Sequence, residues 1–183
     1  RQSQLIKEKI NDTSIPFVYC NLVGSQDELI FDGQSLIFNS KGDLISQGKP
    51  FSEDLLIADI SKNRTVEMKV HPREKMTYDA LVLGVKDYFK KTGHSNAVIG
   101  LSGGIDSSLT ACIAVEALGA KNVHGIAMPS RFSSQHSLDD AEELAKNLKI
   151  DFRKIPINSV VKSYESLLIE DLDNENIGLA EEN

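Results

Sequence analysis

The sequence predicts an α/β protein with a doubly wound parallel sheet in its second half, preceded by a β-rich part. Three observations carry that prediction. From Tyr78 onward, helical and strand periods alternate. Before that, short apolar runs are separated by Asn, Ser and Gly clusters, the mark of strands and tight turns. Between the two regimes lies "SKNRTVEMKVHPREK", a charged stretch with Pro72 that reads as a linker and sets the division at 1–72 and 73–183.

In the first part, "PFVYCNLVG" (Pro16 to Gly24) reads as a buried strand, and "QSLIFNSKGDLISQG" (Gln34 to Gly48) as a hairpin turning at Asn39 to Gly42. "DLLIADI" (Asp54 to Ile60) reads as a further apolar strand. In the second part Tyr78, Leu81, Val82, Val85 and Phe89 recur at helical spacing, and Gly93 is placed to end that helix. Ala97 to Leu101 reads as strand, Ser107 to Leu118 as helix ending at Gly119, and Val123 to Met128 as strand. Ser137 is expected to cap a helix with Ala141, Leu144, Ala145 and Leu148 inward and Asp139 and Asp140 in its first turn. A strand around Phe152 to Ile155 then leads to a helix with Val160, Val161, Tyr164, Leu167 and Leu168 inward. Strands and helices in that alternation imply right-handed crossovers and a parallel sheet covered on both faces.

Composition narrows the function classes. With 183 residues, 40% of them apolar, the chain can build a real core. A net charge of -7, from 27 acidic and 20 basic side chains, argues against a surface that wraps nucleic acid or lies on anionic lipid. An anionic ligand must therefore be held locally. Cys20 and Cys112 lack disulfide or metal spacing and read as packed thiols in a reducing compartment. His71, His94, His124 and His136 show no ligand spacing either. No apolar run approaches the roughly 18–20 residues of a spanning helix and no secretory signal opens the chain, so the expectation is a cytoplasmic protein without membrane contact. The chain begins at Arg1 without a methionine, and its last residues, "GLAEEN" from Gly178 to Asn183, read as the opening turn of a helix. It reads as a piece of something longer.

The informative stretch is "NAVIGLSGGIDSSLTACIAVEALGA", Asn96 to Ala120, in which a strand stops at a glycine pair and a helix begins. In open α/β sheets ligands bind outside the carboxyl ends of the strands, where Ser102 to Ser108 falls. Gly103 and Gly104 let a ligand approach the main chain, the helix start offers unpaired N–H groups, and Ser102, Ser107 and Ser108 add hydroxyls: a phosphate cradle. Such a turn can also be only a tight connection. Against that, the loop fits neither common nucleotide fingerprint and has no lysine for a γ-phosphate, yet it places Asp106 where phosphates would sit. An acid there requires a divalent cation between the charges, which implies Mg²⁺.

"SGGIDSS" resembles the pyrophosphate loop of the N-type ATP pyrophosphatases, whose synthetase domains have the adenine nucleotide alpha hydrolase-like fold. The stretch from Ala80 to Ile150 closely resembles the start of the synthetase domain of glutamine-dependent NAD synthetases. "VYCNLVGSQDELIFDGQS", Val18 to Ser35, is similar to the end of their nitrilase-like glutaminase domain, an α/β sandwich, with Cys20 and Ser25 as small departures. The resemblance implies an AMP-forming amide ligase that uses ATP, deamido-NAD⁺ and glutamine or ammonia, with no nucleic-acid partner and a homo-oligomeric state. Carried over by motif, it implies an ATP site at Gly100, Leu101, Ser102, Gly103, Gly104, Ile105, Asp106 and Ser107, with Asp106 on the metal. "MPSRFSSQHS", Met128 to Ser137, would border the adenosine, and Arg131 would meet phosphate or stand as a solvated loop arginine. The family's glutaminase triad of glutamate, lysine and cysteine precedes the "QDEL" block and is expected upstream of Arg1. No catalytic residue is therefore expected between Arg1 and Asn183, and Cys20 is not the nucleophile. Gln26, Asp27, Glu28 and Asp32 are expected to be structural. "GLAEEN" resembles the start of a helix leading to the deamido-NAD⁺ site. A tRNA thiolase would show a basic face or a Cys-x-x-Cys pair, and neither is present; a non-catalytic nucleotide-binding module remains the alternative for the chain in isolation.

Overall fold

Ile6 and Ile10, one helical turn apart, form the buried stripe of α1 (Gln2–Thr13), a helix that the periodicity above does not name. It is the first element of a computed structural model that describes residues 2–61 and 65–168. Arg1, the position upstream of which the glutaminase triad is expected, and the segment "GLAEEN" both lie outside the described residues. Two compact units divide at His94 and Ser95.

In the first unit α1 packs on an antiparallel sheet of order β1-β4-β5, made by β1 (Phe17–Tyr19), β4 (Leu36–Phe38) and β5 (Leu44–Gln47). Ile6 and Ile10 meet Leu36, Phe38 and Leu44 there. The turn falls where expected because Asn39 builds it. Its Oδ1 accepts from Lys41 N and Asp43 N, each at 2.9 Å, and its Nδ2 donates to Asp43 Oδ2 at 3.0 Å, so a side chain 4% exposed has partners for both its oxygen and its nitrogen.

Three expectations for this unit change. Pro16 to Gly24 is two strands: β1, then β2 (Val23–Gln26), which pairs with β3 (Leu29–Asp32) as a separate hairpin. Cys20 lies between them, exposed rather than packed. Asp54 to Ile60 is not a strand, and Leu55 and Ile57 are 82% and 88% exposed. The cause is competition for an edge. Val66 N donates to Leu44 O at 2.9 Å, while Gln47 exchanges two side-chain hydrogen bonds with the Lys69 backbone, at 2.8 and 3.1 Å. Residues 66–69 thus lie along β5 in place of 54–60.

α2 (Arg73–Thr92) ends, as expected, at Gly93 in the left-handed region, φ 74°. It packs on β2 and β3. Asp87 Oδ2 accepts from Ser25 N at 2.8 Å, and Lys91 bridges Asp87 at 3.0 Å while its ammonium donates to Ser25 O. The amide donor and the adjacent ammonium hold the Asp87 carboxyl below the usual range. Gln26, Asp27 and Glu28 are strand end and turn, and Asp32 accepts from Asn21 Nδ2 at 3.0 Å and Gln34 Nε2 at 2.7 Å.

The second unit is the α/β half. β6 (Ala97–Gly100), β7 (Val123–Ala127) and β8 (Asp151–Lys154) form a parallel sheet of order β6-β7-β8. α3 (Ile105–Leu118) and α4 (Gln135–Leu148) cross between them, with a 3-10 turn at Ala120–Asn122. Val123, Ala111, Ala114, Ala141, Ala145 and Ile150 share one buried cluster, so both helices lie on the same face. That follows from strand order: with no reversal of direction, crossovers of one hand deposit their helices on one side. Among the described residues of this unit the other face is uncovered, and Val98 on it is 67% exposed.

Two helix expectations also change. Ser134, not Ser137, caps α4: Ser134 Oγ accepts from Ser137 N at 3.1 Å, which puts Asp139 and Asp140 beyond the first turn. α5 (Asn158–Leu168) is present, but its apolar stripe is not inward: Val160, Tyr164 and Leu167 are 55%, 65% and 76% exposed. Periodicity reports a stripe, not a partner for it, and no described element covers this one.

Candidate functional site

The carboxyl end of β6 runs directly into the glycine pair. Leu101, 3% exposed, continues the ladder by donating its N–H to Ile126 O at 2.8 Å, and the chain then leaves the sheet at Ser102. Gly103 takes φ 80°, and a methyl built on it would lie 2.3 Å from Ser137 O. The left-handed torsion and the approach of α4 both demand glycine there. Gly104 differs from the expectation: at φ -83° and ψ 162° its torsions are open to any residue, and it serves as the N-cap of α3 without a side-chain cap.

The hydroxyls knit this loop together. Ser107 Oγ donates to Gly104 O at 3.0 Å, accepts from Ser102 N at 3.3 Å and lies 3.1 Å from Ser102 Oγ. Gly104 N donates to Ser102 Oγ at 3.2 Å, and Ser108 Oγ to Gly104 O at 2.8 Å. Beyond them the first-turn amides of α3 have no intrahelical acceptor and carry the positive end of the helix dipole. Ile105 is 82% exposed at this turn. Asp106 is also exposed; its backbone oxygen accepts from Thr110, and among the described residues no hydrogen bond or ion pair engages its carboxylate. Since α3 has no side-chain cap, Asp106 is not there to cap it.

Beside the loop lies a cleft of about 430 Å³, lined by Gly100, Leu101 and Ser102 at the end of β6, by Ile126 to Pro129 at the end of β7, and by Phe132, Ser133, Ser134, Ser137 and Leu138. Met128 Cε overhangs Gly100, 3.4 Å from where a methyl would sit. The structure thus brings Gly100, Leu101, Ser102 and Met128 onto one concavity. Gly103 to Ser107 follow Ser102 in the chain and are not among the cleft's lining residues. Arg131 does not line it: its Nη2 lies 2.6 Å from Glu165 Oε1 and its guanidinium stacks 4.6 Å above the Phe132 ring. Phe132 and Ser134 are cleft residues that motif reasoning did not single out, although both lie within "MPSRFSSQHS".

An apolar cleft beside a loop of neutral donors suits a nucleotide whose phosphates meet main chain and hydroxyls. The Asp106 carboxylate, unengaged among the described residues, fits Mg²⁺, an ion commonly held by one or two carboxylates plus substrate oxygens. No group of three or more His, Cys, Asp or Glu able to hold a metal by itself occurs among the described residues.

A family model described as NAD synthase matches residues 77–183. The chain belongs to the NAD synthase family. Among curated members, the glutamine-dependent NAD(+) synthetase of Synechocystis sp. is 43% identical over 189 residues, covering all of this chain and 34% of that protein. The enzyme of the same name from Thermotoga maritima is 39% identical, over 85% of this chain and 34% of its own length. This member of the family therefore spans about a third of the curated relatives it matches. Among solved structures, the Acinetobacter baumannii glutamine-dependent NAD+ synthetase in complex with adenosine diphosphate has a TM-score of 0.91 and 36% identity, over 99% of this chain and 35% of that one. The NH3-dependent NAD synthetase of Campylobacter jejuni, with 27% identity and a TM-score of 0.51, covers 60% of this chain and 45% of its own. Among the described residues no helix is long and apolar enough to cross a membrane.

Proposed function

We propose that this chain is the junction region of a glutamine-dependent NAD⁺ synthetase, in which residues 73–183 begin the ATP-using synthetase domain and residues 1–72 end a nitrilase-like glutaminase domain. The glutaminase triad then belongs to the part of that domain upstream of Arg1, and this chain supplies none of its members. The observation that carries the reading is the Ser102–Ser107 loop at the carboxyl end of β6, beside a cleft that can take a nucleoside. Similarity over 99% of the chain to an enzyme described in complex with adenosine diphosphate supports it.

In the complete protein the nicotinate carboxylate of deamido-NAD⁺ attacks the α-phosphorus of ATP, pyrophosphate leaves, and ammonia derived from glutamine displaces AMP to form the amide. Residues of this chain hold the nucleotide. Ser102, Gly104 and Ser107 receive phosphate oxygens by exchanging hydrogen bonds they now make with each other, Gly103 provides the turn between them, and Gly100, Leu101 and Met128 border the nucleoside. Ile105 contributes its amide at the first turn of α3. Arg131 reaches a phosphate only by leaving Glu165. Asp106 would hold Mg²⁺, and the ion would supply neutralisation of the negative charge that develops on pyrophosphate. A cytoplasmic location and a homo-oligomeric full-length enzyme complete the reading. The thiolase alternative has no supporting observation.

The test is Asp106→Asn in the full-length enzyme, with pyrophosphate release followed over a Mg²⁺ titration. Two anions a few ångströms apart in a partly dry cleft repel by several kcal/mol unless a cation separates them. The expected outcome is loss of adenylation by about 10²-fold with thermal melting preserved and glutamine hydrolysis little changed. Equal rates at every Mg²⁺ concentration would remove Asp106 from the metal site.

A further inference from the structure

Arg131 and Phe132 occupy the centre of a tight turn, Ser130 to Ser133, closed by Ser133 N donating to Ser130 O at 3.2 Å. Within the turn Phe132 N donates to Ser130 Oγ at 3.2 Å and Ser130 N to Ser133 Oγ at 3.0 Å. The two side chains have different tasks. Phe132 lines the cleft, whereas Arg131 stacks on the Phe132 ring at 4.6 Å and pairs at 2.6 Å with Glu165 on α5. A backbone bond reinforces the tie, since Ile157 N, just before α5, donates to Pro129 O at 3.0 Å. The lip of the cleft is thus fastened once to α5, at Glu165, and once to Ile157, the residue that precedes the helix.

We infer that Glu165 is a positioning residue: through Arg131 it latches the Ser130–Ser133 turn to α5 and so holds Phe132 as the wall of the nucleotide cleft. This rests on the reading of the cleft as the ATP site. A guanidinium held by a carboxylate and placed over a ring fixes that ring more firmly than either contact alone, because the ion pair restricts where the planar fork can lie. The free energy available is that of an exposed ion pair plus a cation–π contact, enough for a several-fold effect and no more. A phosphate-binding Arg131 behaves differently: neutralising Glu165 would release the guanidinium to the nucleotide and tighten binding.

The experiment uses the full-length enzyme with Glu165→Gln, Arg131→Glu and the exchanged pair Arg131→Glu/Glu165→Arg. Three quantities are measured: MgATP affinity by calorimetry, KM for ATP against kcat, and hydrogen exchange of the Ser130 to Ser133 amides without nucleotide. The latch predicts that either single substitution weakens ATP binding and raises its KM about three- to tenfold, with kcat within about twofold. It also predicts faster exchange in the turn of both single variants, and slower exchange with partly regained ATP affinity in the exchanged pair, where the ion pair returns but the cation over Phe132 does not. Unchanged or tighter ATP binding in Glu165→Gln, or exchange in the exchanged pair no slower than in the single variants, overturns the latch. If the wild-type enzyme binds no MgATP, the nucleotide reading fails instead, while the exchange measurement still decides whether the latch exists.

Discussion

Gly103 is the residue on which the Ser102–Ser107 loop turns, because two independent demands meet at it. Its φ of 80° disfavours any side chain, and even a methyl would need Ser137 O to retreat from 2.3 Å. Gly103→Ala is therefore expected to displace the start of α4 or flatten the loop, and to lower MgATP affinity by at least about tenfold in the full-length enzyme. Calorimetric titration checks it. The matched control is Gly104→Ala: with ordinary torsions and a contact of 3.2 Å only to Ser102 Oγ, it should bind within a few-fold of wild type. Equal losses in the two variants would refute the distinction. Asp106 belongs to the same scale: on the proposed reading its role would depend on a bound cation, since α3 has no side-chain cap.

At the scale of elements, α2 and the β2–β3 hairpin are joined by the Asp87, Lys91 and Ser25 cluster. Asp87 has its folded-state pKa lowered, chiefly by the Ser25 amide and then by Lys91. A depressed carboxylate stabilises the fold fully above its unfolded pKa and loses that contribution as pH falls through its folded value. Acid unfolding should therefore begin earlier in the native chain than in Asp87→Asn, relative to each protein's own stability at neutral pH. Thermal melts across the acid range, with Lys86→Met as a nearby charge control, test this; parallel melting curves for Asp87→Asn and wild type would show the pair contributes nothing.

At the scale of the whole chain, exposure is uneven. Leu55, at 82%, and Ile57, at 88%, stand on a stretch that belongs to no helix or strand, while Ala111, Val123 and Ala141 are at or below 1%. Within the described residues, a protease that cuts before large aliphatic residues should therefore cleave first between Glu53 and Ser61 and before Val70, which is 85% exposed outside any helix or strand, leaving β6 to α4 intact. Mass spectrometry of a brief thermolysin digest reads this out, and early cuts within α3 or β7 would contradict it. Net charge acts at this scale too. A chain at -7 repels anions at long range, so the proposed ATP binding would depend on a local arrangement of dipoles and a cation rather than on the surface as a whole.

What was legible in the sequence was local. Helix α2 with its Gly93 stop, the Asn39 turn, the alternation from β6 to β8 and the strand-loop-helix setting of Ser102–Ser107 all follow from periods of two and 3.6, from turn chemistry and from glycine placement. Those signals are carried by neighbours along the chain. What only the tertiary structure decided was competition between segments for the same partner. Residues 66–69 lie along β5 where the apolar run 54–60 was the better strand by composition. Ser134 caps α4 where Ser137 had equal chemistry, because the chain enters the helix three residues earlier. The stripe on α5 was visible but not that no described element covers it, and Arg131 was visible as a cation but not as the partner of Glu165. A pattern states what a segment can bury or bind; which surface it meets depends on residues far away in sequence, and so is settled only when the chain folds.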